Sequence, residues 1–307
     1  MKYTKEDLAF FKNKRALQHT TAQSVQGKLC VISGATSGVG LEAAQVLAKG
    51  GADLVLVARN REKAAQLKAR LEHEHHVAIS TVIADFCRLE DVREAALNIR
   101  DRHPVIDVLI NSAGLYCTQR HLTADGNELV FQVNHLASFL LTCLLTDNLI
   151  RSPQGRIIQV NSEGHRFGGL RIDDLDWRKR IYIGLRAYGA SKTAQLMTVR
   201  TLVERLAGTA VTINAMHPGG VRTGIGSNNG ILYRAWQRAV IWPFLKDAAI
   251  SGNALYYLAA APELRGATGR YFNLTIDEKP MPHVLDDALR DAVWQRSLEL
   301  AGLPESF

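Results

Sequence analysis

Cysteine is scarce in this chain. Four occur in 307 residues, at Cys30, Cys87, Cys117 and Cys143, and none forms a CxxC pair. That argues against a disulfide framework. It reads instead as reduced core thiols of a cytoplasmic protein, with Cys30 in a buried strand and Cys143 in an apolar helix. Long apolar runs are missing too. The longest, such as 136–145, are broken by Ser138 and Thr142, so none approaches the ~20 residues of a membrane span. The first fifteen residues, MKYTKEDLAFFKNKR, are charged from the start and have no apolar core ahead of a cleavage site, so no secretory signal is expected. The net charge of +7 comes without a basic stripe interleaved with aromatics, and no nucleic-acid partner is expected. There is no internal repeat, low-complexity tract or clear linker. With 47% apolar and 22% charged residues, the chain reads as one ordinary globular domain over 25–307.

Metal-ligand groupings are also weak. His73, His75 and His76 lie in EHEHH at a predicted helix end, and Asp173, Asp174 and Asp176 have no ligand companions. A solvated helix terminus and a solvated loop account for them, and no metal site is expected. Residues 1–24 read as a polar helical arm. Its Leu8, Phe10, Phe11 and Leu17 either pack on the domain or, with Lys12, Lys14 and Arg15, make a weak membrane-surface contact.

The stretch Lys28 to Gly40, KLCVISGATSGVG, organises what is present. An apolar run stops at Ser33-Gly34, glycines follow at Gly38 and Gly40, and a proline-free, alanine-rich helical pattern begins. Strand, glycine turn, helix is the context of a dinucleotide-binding turn. Glycines let the backbone approach a pyrophosphate, and the free N–H groups of the helix start face its charge. Further buried strands read at 53–58, 77–84, 105–110, 155–160 and 210–216, with a last short one at 271–273. Helices alternate with them at about 62–75, 89–102, 126–149, 188–206 and 287–300. This alternation predicts an α/β fold: a single Rossmann-type, doubly wound parallel sheet with helices on both faces. Ligands then bind at the carboxyl ends of the strands, where Gly34, Arg59, Asp85, Asn111, Ser162 and His217 fall. The second strand ends in Ala58-Arg59-Asn60 rather than an acid. An arginine there meets a 2′-phosphate and predicts NADP(H) over NAD(H).

Tyr188 and Lys192, in YGASK, stand on one helix face at i, i+4. A lysine charge ~4 Å from the phenol, at an effective dielectric of ~20, is worth ~4 kcal/mol, enough to bring a tyrosine from near ~10 to near ~7. That would make Tyr188 a usable acid or base.

Taken together, SGATSGVG (33–40), NSAG (111–114), Asn134, Ser162, YGASK (188–192) and HPGGVRT (217–223) resemble the classical short-chain dehydrogenase/reductase family. DGNELVFQVNHLASFLLT (125–142), the long loop after Ser162 and LRDAVWQRSLELAGL (289–303) resemble its retinol dehydrogenase and WW-domain-oxidoreductase branch. The resemblance implies a catalytic set of Asn134, Ser162, Tyr188 and Lys192. Tyr188 is then the acid or base, Ser162 polarises the carbonyl, Lys192 also binds the nicotinamide ribose, and Asn134 holds a relay water. It implies a cofactor site of Gly34, Ser37, Gly38, Val39, Gly40, Arg59, Asn60, Asp85, Phe86, Asn111, Ala113, Gly114, Tyr188, Lys192, Pro218, Gly219, Val221 and Thr223. It also implies a homodimer or homotetramer built on the helices at 126–149 and 188–206. Ser33, Ser112 and Asn161 depart from the family pattern without touching the four catalytic positions.

The expected activity is an NADP-dependent carbonyl reductase or alcohol dehydrogenase acting on a lipophilic aldehyde, ketone or alcohol. Substrate loops are expected at about 164–186 and 224–250. There Ile225, Ile231, Leu232, Tyr233, Trp236, Ile241, Trp242 and Phe244 either line a pocket or pack on the core, and His165 is a candidate substrate contact. The alternative is a non-catalytic NADP(H)-binding sensor or regulatory module, since the fold alone does not fix a function.

Overall fold

A computed structural model describes residues 13, 16–236, 239–240 and 242–305, without the side chains of Leu232, Arg234, Trp236 and Phe244. The sheet and its helices follow in order: β1 (Leu29–Ser33), α1 (Gly38–Lys49), β2 (Asp53–Ala58), α2 (Arg61–His75), β3 (Ile79–Ile83), α3 (Leu89–Arg102), β4 (Val108–Asn111) and the helix α4 over Leu129–Ile150. Next come β5 (Arg156–Val160), α5 (Gly184–Arg205), β6 (Thr212–His217), α6 (Gly230–Trp236), α7 (Ala249–Ala260), β7 (Tyr271–Asn273), β8 (Ile276–Glu278) and α8 (Asp287–Ala301). The strand order is β3-β2-β1-β4-β5-β6-β7-β8. All neighbours pair in parallel except β7 with β8. The order reverses between β1 and β4, so a crevice opens there at the carboxyl ends of the strands.

Strands such as DLVLVA read as unbroken apolar runs because both faces are covered. Successive side chains point to opposite faces, and this splits the core in two. Val31, Val55, Val57, Leu109 and Ile157 pack with α3, α4, α5 and α8 on one side. Cys30, Ile32, Leu54, Leu56, Ile110 and Ile158 pack with α1 and α7 on the other. The helix α8 buries Val293, Trp294, Leu298 and Ala301 in the first of these cores.

Several expectations need correction. Residues 17–24 are not helical. Gln18 and His19 bind Thr275 instead, and the Tyr256 hydroxyl donates to the Gln23 carbonyl at 2.8 Å. Residues 1–12, with Leu8, Phe10, Phe11 and Lys12, lie outside the described residues, as do Lys14 and Arg15. The strand β8 was not expected, since Ile276-Asp277-Glu278 carries no apolar run. By length and composition α4 could cross a membrane, with a mean hydropathy of 1.6, yet 83% of its apolar window is buried inside the domain. The expected helix at 126–149 is also not uniform. After one α-turn, Gln132–Leu136 forms a π-helical turn before the α-geometry resumes at Ala137. Such turns are rare and gather at functional sites. This one carries Asn134.

Candidate active site

The glycine turn is built by close approach. Gly34 has φ +69°, and a Cβ there would stand 2.8 Å from both the Cα and the nitrogen of Ala113. A Cβ on Gly40 would meet the Gly34 carbonyl oxygen at 2.5 Å. Ser33, the residue that departs from the family pattern, sends its Oγ to accept from the N–H groups of Ser112 and Ala113 at 3.1 and 3.3 Å. The loop after β4 is thereby pinned over the turn after β1. At Gly38 (φ +53°) a Cβ would press on Thr223 at 3.2 Å, so the segment after β6 reaches the same place. Pro218, Gly219 and Val221 lead into it, with the Pro218 carbonyl held by the Ser251 hydroxyl at 2.6 Å.

These residues fit a dinucleotide. Ser37 caps α1 with extended backbone, but its exposed hydroxyl makes no capping bond, and the first turn carries no acid. Backbone N–H groups and a free hydroxyl thus face outward at a helix start beside Val39, as a pyrophosphate requires. Arg59 is exposed at the end of β2. Asn60 beside it is committed locally, since its Oδ1 caps α2 by accepting from Lys63 N–H at 2.7 Å. Asp85 is half-buried and its Oδ1 accepts from Cys87 N–H at 3.0 Å. Phe86 is buried. Asn111 donates to Thr142 Oγ1 at 2.7 Å, while its own Oδ1 is buried with no partner among the described residues. Gly114 lies against Asn134, whose Oδ1 would be 3.3 Å from a Cβ there.

The four expected catalytic residues converge beyond β5. Ser162 and Tyr188 meet at Gly164, where an added Cβ would lie 3.3 Å from Ser162 Oγ and 2.5 Å from the Tyr188 ring. Ser162 Oγ also accepts from Gly164 N–H at 3.0 Å. Asn161 orders this region: its Oδ1 accepts from Ser162 N–H at 2.8 Å and its Nδ2 donates to the Lys192 carbonyl at 2.9 Å. Gly164 could not be replaced freely, because a Cβ would lie 2.5 Å from the Tyr188 ring. Gly189 is similar, with the Gly168 carbonyl oxygen at 2.6 Å. Neither glycine was singled out from the sequence, because the need for each arises only where the 163–168 turn meets α5.

The ionisation of the pair differs from expectation. Lys192 Nζ lies 5.6 Å from the Tyr188 ring centroid. Its bonds go to the Val160 carbonyl and to Gln195 Oε1, both at 3.0 Å. Burial pushes the Tyr188 phenol up to about 12, with the nearby Ser162 hydroxyl acting the other way. Burial also pulls the Lys192 amine down to about 7. Desolvation outweighs the attraction that the spacing alone suggested. Tyr188 is therefore held protonated, in the form of an acid.

His165 is not a substrate contact. It is fully buried, with Nδ1 2.8 Å from the Ser162 carbonyl and Nε2 accepting from Met281 N–H at 3.2 Å. It props the Ser162 turn from behind. Beside it Glu163 pairs with Arg166, which also reaches Glu278 at 2.8 Å, and Tyr271 donates to Glu163 at 2.8 Å. Burial alone would raise the Glu163 pKa, but His217 and Arg166 hold it below the usual carboxylate range.

The expected substrate loops divide. Tyr116 stands edge-on to Tyr188, with ring centroids 6.1 Å apart, and 6.2 Å from Tyr233 of α6. Asn229 ties the loop before α6 to this wall by accepting from Thr118 N–H at 2.7 Å and donating to the Tyr116 carbonyl at 2.9 Å. Ile225 and Ile231 are exposed, and Ile241 lies outside the described residues. Beyond the 163–168 turn, the 164–186 loop packs around Trp177 instead. Arg180 lies 3.6 Å from the Trp177 ring centroid, and a cavity of about 460 Å³ between Leu170, Trp177 and Ile183 includes none of the four catalytic positions. Asp174, expected in solvent, is buried and organises the loop by accepting from Arg178 and Lys179 N–H.

Known proteins resemble this chain along most of its length. A family model described as short chain dehydrogenase matches residues 28–230. Retinol dehydrogenase 13 of Homo sapiens is 35% identical over 287 residues, covering 91% of this chain and 86% of that protein. The WW domain-containing oxidoreductase of Homo sapiens is 33% identical over 298 residues, covering 93% and 70%. A protein of Streptomyces sp. (strain C5), whose name provisionally makes it a daunorubicin C-13 ketoreductase, is 37% identical over 279 residues, covering 90% and 93%. Among solved structures, an uncharacterised protein of Mycobacterium paratuberculosis matches with a TM-score of 0.75 and 27% identity, covering 94% of this chain and 98% of that one. A structure from Shigella flexneri 2a, provisionally described as a short chain dehydrogenase and complexed with NADP, matches with a TM-score of 0.66 and 25% identity, covering 83% and 99%.

Proposed function

The chain belongs to the short chain dehydrogenase family, and from that premise we propose that it interconverts lipophilic aldehydes or ketones with their alcohols, using NADP(H) in preference to NAD(H). It is a short-chain oxidoreductase acting on C=O and CH–OH groups of small molecules. The observation that carries the finer reading is the adjacent pair of side chains, Ser162 and Tyr188, with the Lys192 amine buried behind them and the glycine turn alongside.

The bound nicotinamide supplies or accepts the hydride. The chain's residues do the rest. The Ser162 hydroxyl orients the substrate oxygen. Tyr188, held protonated, gives its proton to that oxygen as the carbonyl carbon is reduced, and takes it back in oxidation. Lys192, in its charged form, stabilises the phenolate left behind. Arg59 supports the NADP preference, as does the NADP complex of the Shigella flexneri structure. Tyr116 beside Tyr188, with Tyr233 against Tyr116, supports an apolar substrate, as do relatives named for retinol. The four free thiols fit a reducing compartment such as the cytoplasm. A homodimer or homotetramer over α4 and α5 is part of the same proposal.

The test is NADPH oxidation by the purified protein against a panel of lipophilic and small aldehydes and ketones, with NADH and Tyr188→Phe as controls. Turnover that falls ~10²–10⁴-fold in the variant, with NADPH binding retained, is expected. Unchanged turnover in the variant would refute the role of Tyr188. NADPH binding with no turnover on any substrate would favour a cofactor-binding module instead.

A further inference from the structure

The Asn134 backbone carbonyl, on the π-helical turn of α4, has both acceptor positions filled by protein. Gln195 Nε2 donates to it at 2.5 Å and Ser138 Oγ at 2.8 Å. The Asn134 side chain is equally occupied. Its Oδ1 accepts from Leu115 N–H at 2.8 Å, and its Nδ2 donates to the Leu115 carbonyl at 3.1 Å and to Ser191 Oγ at 3.0 Å. The water expected on Asn134 would have to displace one of these donors. The other end of the same glutamine faces the site: Gln195 Oε1 accepts from Lys192 Nζ at 3.0 Å and from Asn161 Nδ2 at 3.1 Å. Gln195, Asn161, Asn134 and Lys192 are all buried.

We propose that Gln195 is a positioning residue for Lys192, its carboxamide linking the lysine ammonium directly to the Asn134 carbonyl in place of a bridging water. This rests on the catalytic reading of Tyr188 and Lys192 above. A primary amide offers one acceptor face and two N–H donors. Here the acceptor serves Lys192 and Asn161, and a donor serves Asn134. The assignment of oxygen and nitrogen is fixed by the neighbours: an ammonium needs an acceptor and a carbonyl needs a donor.

Two consequences follow. First, an ammonium has three N–H donors. Val160 and Gln195 take two, so the third is aimed by default, and Lys192 enters the site as a fixed donor rather than a swinging one. Second, an amide passes a proton only by changing tautomer, which a water does not need to do. A proton delivered to Lys192 therefore does not pass on through Gln195.

The groups facing Lys192 that can titrate are Tyr188 on its own helix and His135 on α4. Burial holds the His135 imidazole down to about 3, and Lys192 adds to that effect, so His135 stays neutral through the working range. Glu163, on the turn beyond Ser162, is already paired with Arg166. Among protein groups, Gln195 and Val160 are thus what favours the charged lysine against its burial.

The test reads Lys192 itself, so it does not depend on finding a substrate. The full chain is labelled with ε-¹³C-lysine, its Lys192 signal is assigned with Lys192→Arg, and the signal is titrated by NMR. Gln195→Met keeps the shape and removes the acceptor. The Lys192 midpoint should fall by about one pH unit, in the sense of a lost hydrogen bond to the charged form. Gln195→Glu keeps the contact and adds a charge, and the midpoint should rise. If Gln195→Met does not fold, the rise in Gln195→Glu decides alone. A midpoint unmoved in any folded variant would overturn the proposal, even if melting temperature dropped. Once a substrate is in hand, Gln195→Met should lose about tenfold in kcat with KM changed less than twofold. A shifted midpoint with no turnover in any form would uphold the contact and refute the catalytic reading instead.

Discussion

Arg59→Ala isolates the reading of cofactor preference. Arg59 follows β2 in solvent and makes no hydrogen bond or ion pair with any described residue. Its removal should therefore cost the fold nothing, and the melting temperature should stay within about 1 °C. What it loses is a guanidinium facing a phosphate. For one unit charge at ~4 Å, the attraction lies between ~1 kcal/mol in water and ~4 kcal/mol at a protein surface. Exposure places Arg59 toward the lower half, about 2 kcal/mol, or about 30-fold in affinity. The KM for NADPH should rise by that factor. The KM for NADH, which has no 2′-phosphate, should stay within about twofold, and kcat should not move with either. The assay is steady-state kinetics with both cofactors, repeated at rising salt. By about 1 M the screening length is near ~3 Å, and the advantage of the wild type should have largely gone. Equal weakening of both cofactors, or of neither, would refute the assignment. So would a preference that salt leaves untouched, since that would place the discrimination in shape rather than charge.

Gly164→Ala should separate folding from chemistry. The added methyl meets the Tyr188 ring at 2.5 and 2.6 Å, so ring or turn must shift. A displacement near 1 Å is expected to cost about 10²-fold in kcat, read against circular dichroism and NADPH affinity that stay near wild type. Full activity would show that the ring tolerates the methyl. His135→Gln tests a stability effect of pH. His135 is buried, with Nε2 2.7 Å from Ser297 Oγ, and its pKa is held down to about 3. A folded pKa below the unfolded value near ~6.5 means full stability above ~6.5 and progressive loss as pH falls toward 3. By pH 4.5 the loss is about 2–3 kcal/mol. Urea unfolding at pH 7 and 4.5 should show that much less pH dependence in the glutamine variant, and an identical dependence would refute it.

The fold was largely legible because its strands are buried on both faces and so are nearly pure apolar runs, as in DLVLVA, each closed by a glycine or polar stop. The glycine turn and the i, i+4 pair Tyr188–Lys192 were legible for a similar reason: local geometry forces their residue types and spacing. What escaped depends on contact between distant segments. Gly164 matters only because α5 brings Tyr188 over it, and Gln195 only because a π-turn on another helix presents a carbonyl to it. The pKa of Tyr188 was misjudged because spacing reveals the neighbouring charge but not the depth of burial, and burial won. β8 escaped because an edge strand two residues past β7 needs pairing partners more than apolar side chains.

The π-helical turn at Gln132–Leu136 has one more meaning. A helix is a clock that advances about 100° per residue, and one residue inserted into a turn resets it. Downstream of Ala137, α4 keeps time with the core, setting Leu140, Leu141 and Leu145 against the sheet and its neighbours. Upstream, Glu128, which caps the first turn, and Val130 keep a different phase. Excising one residue here would make a straighter, more regular helix. It would also turn everything before the cut by roughly a quarter circle, carrying Asn134 away from Gln195 while the hydrophobic half stayed where it was. The irregular turn lets a single rod satisfy two bearings at once.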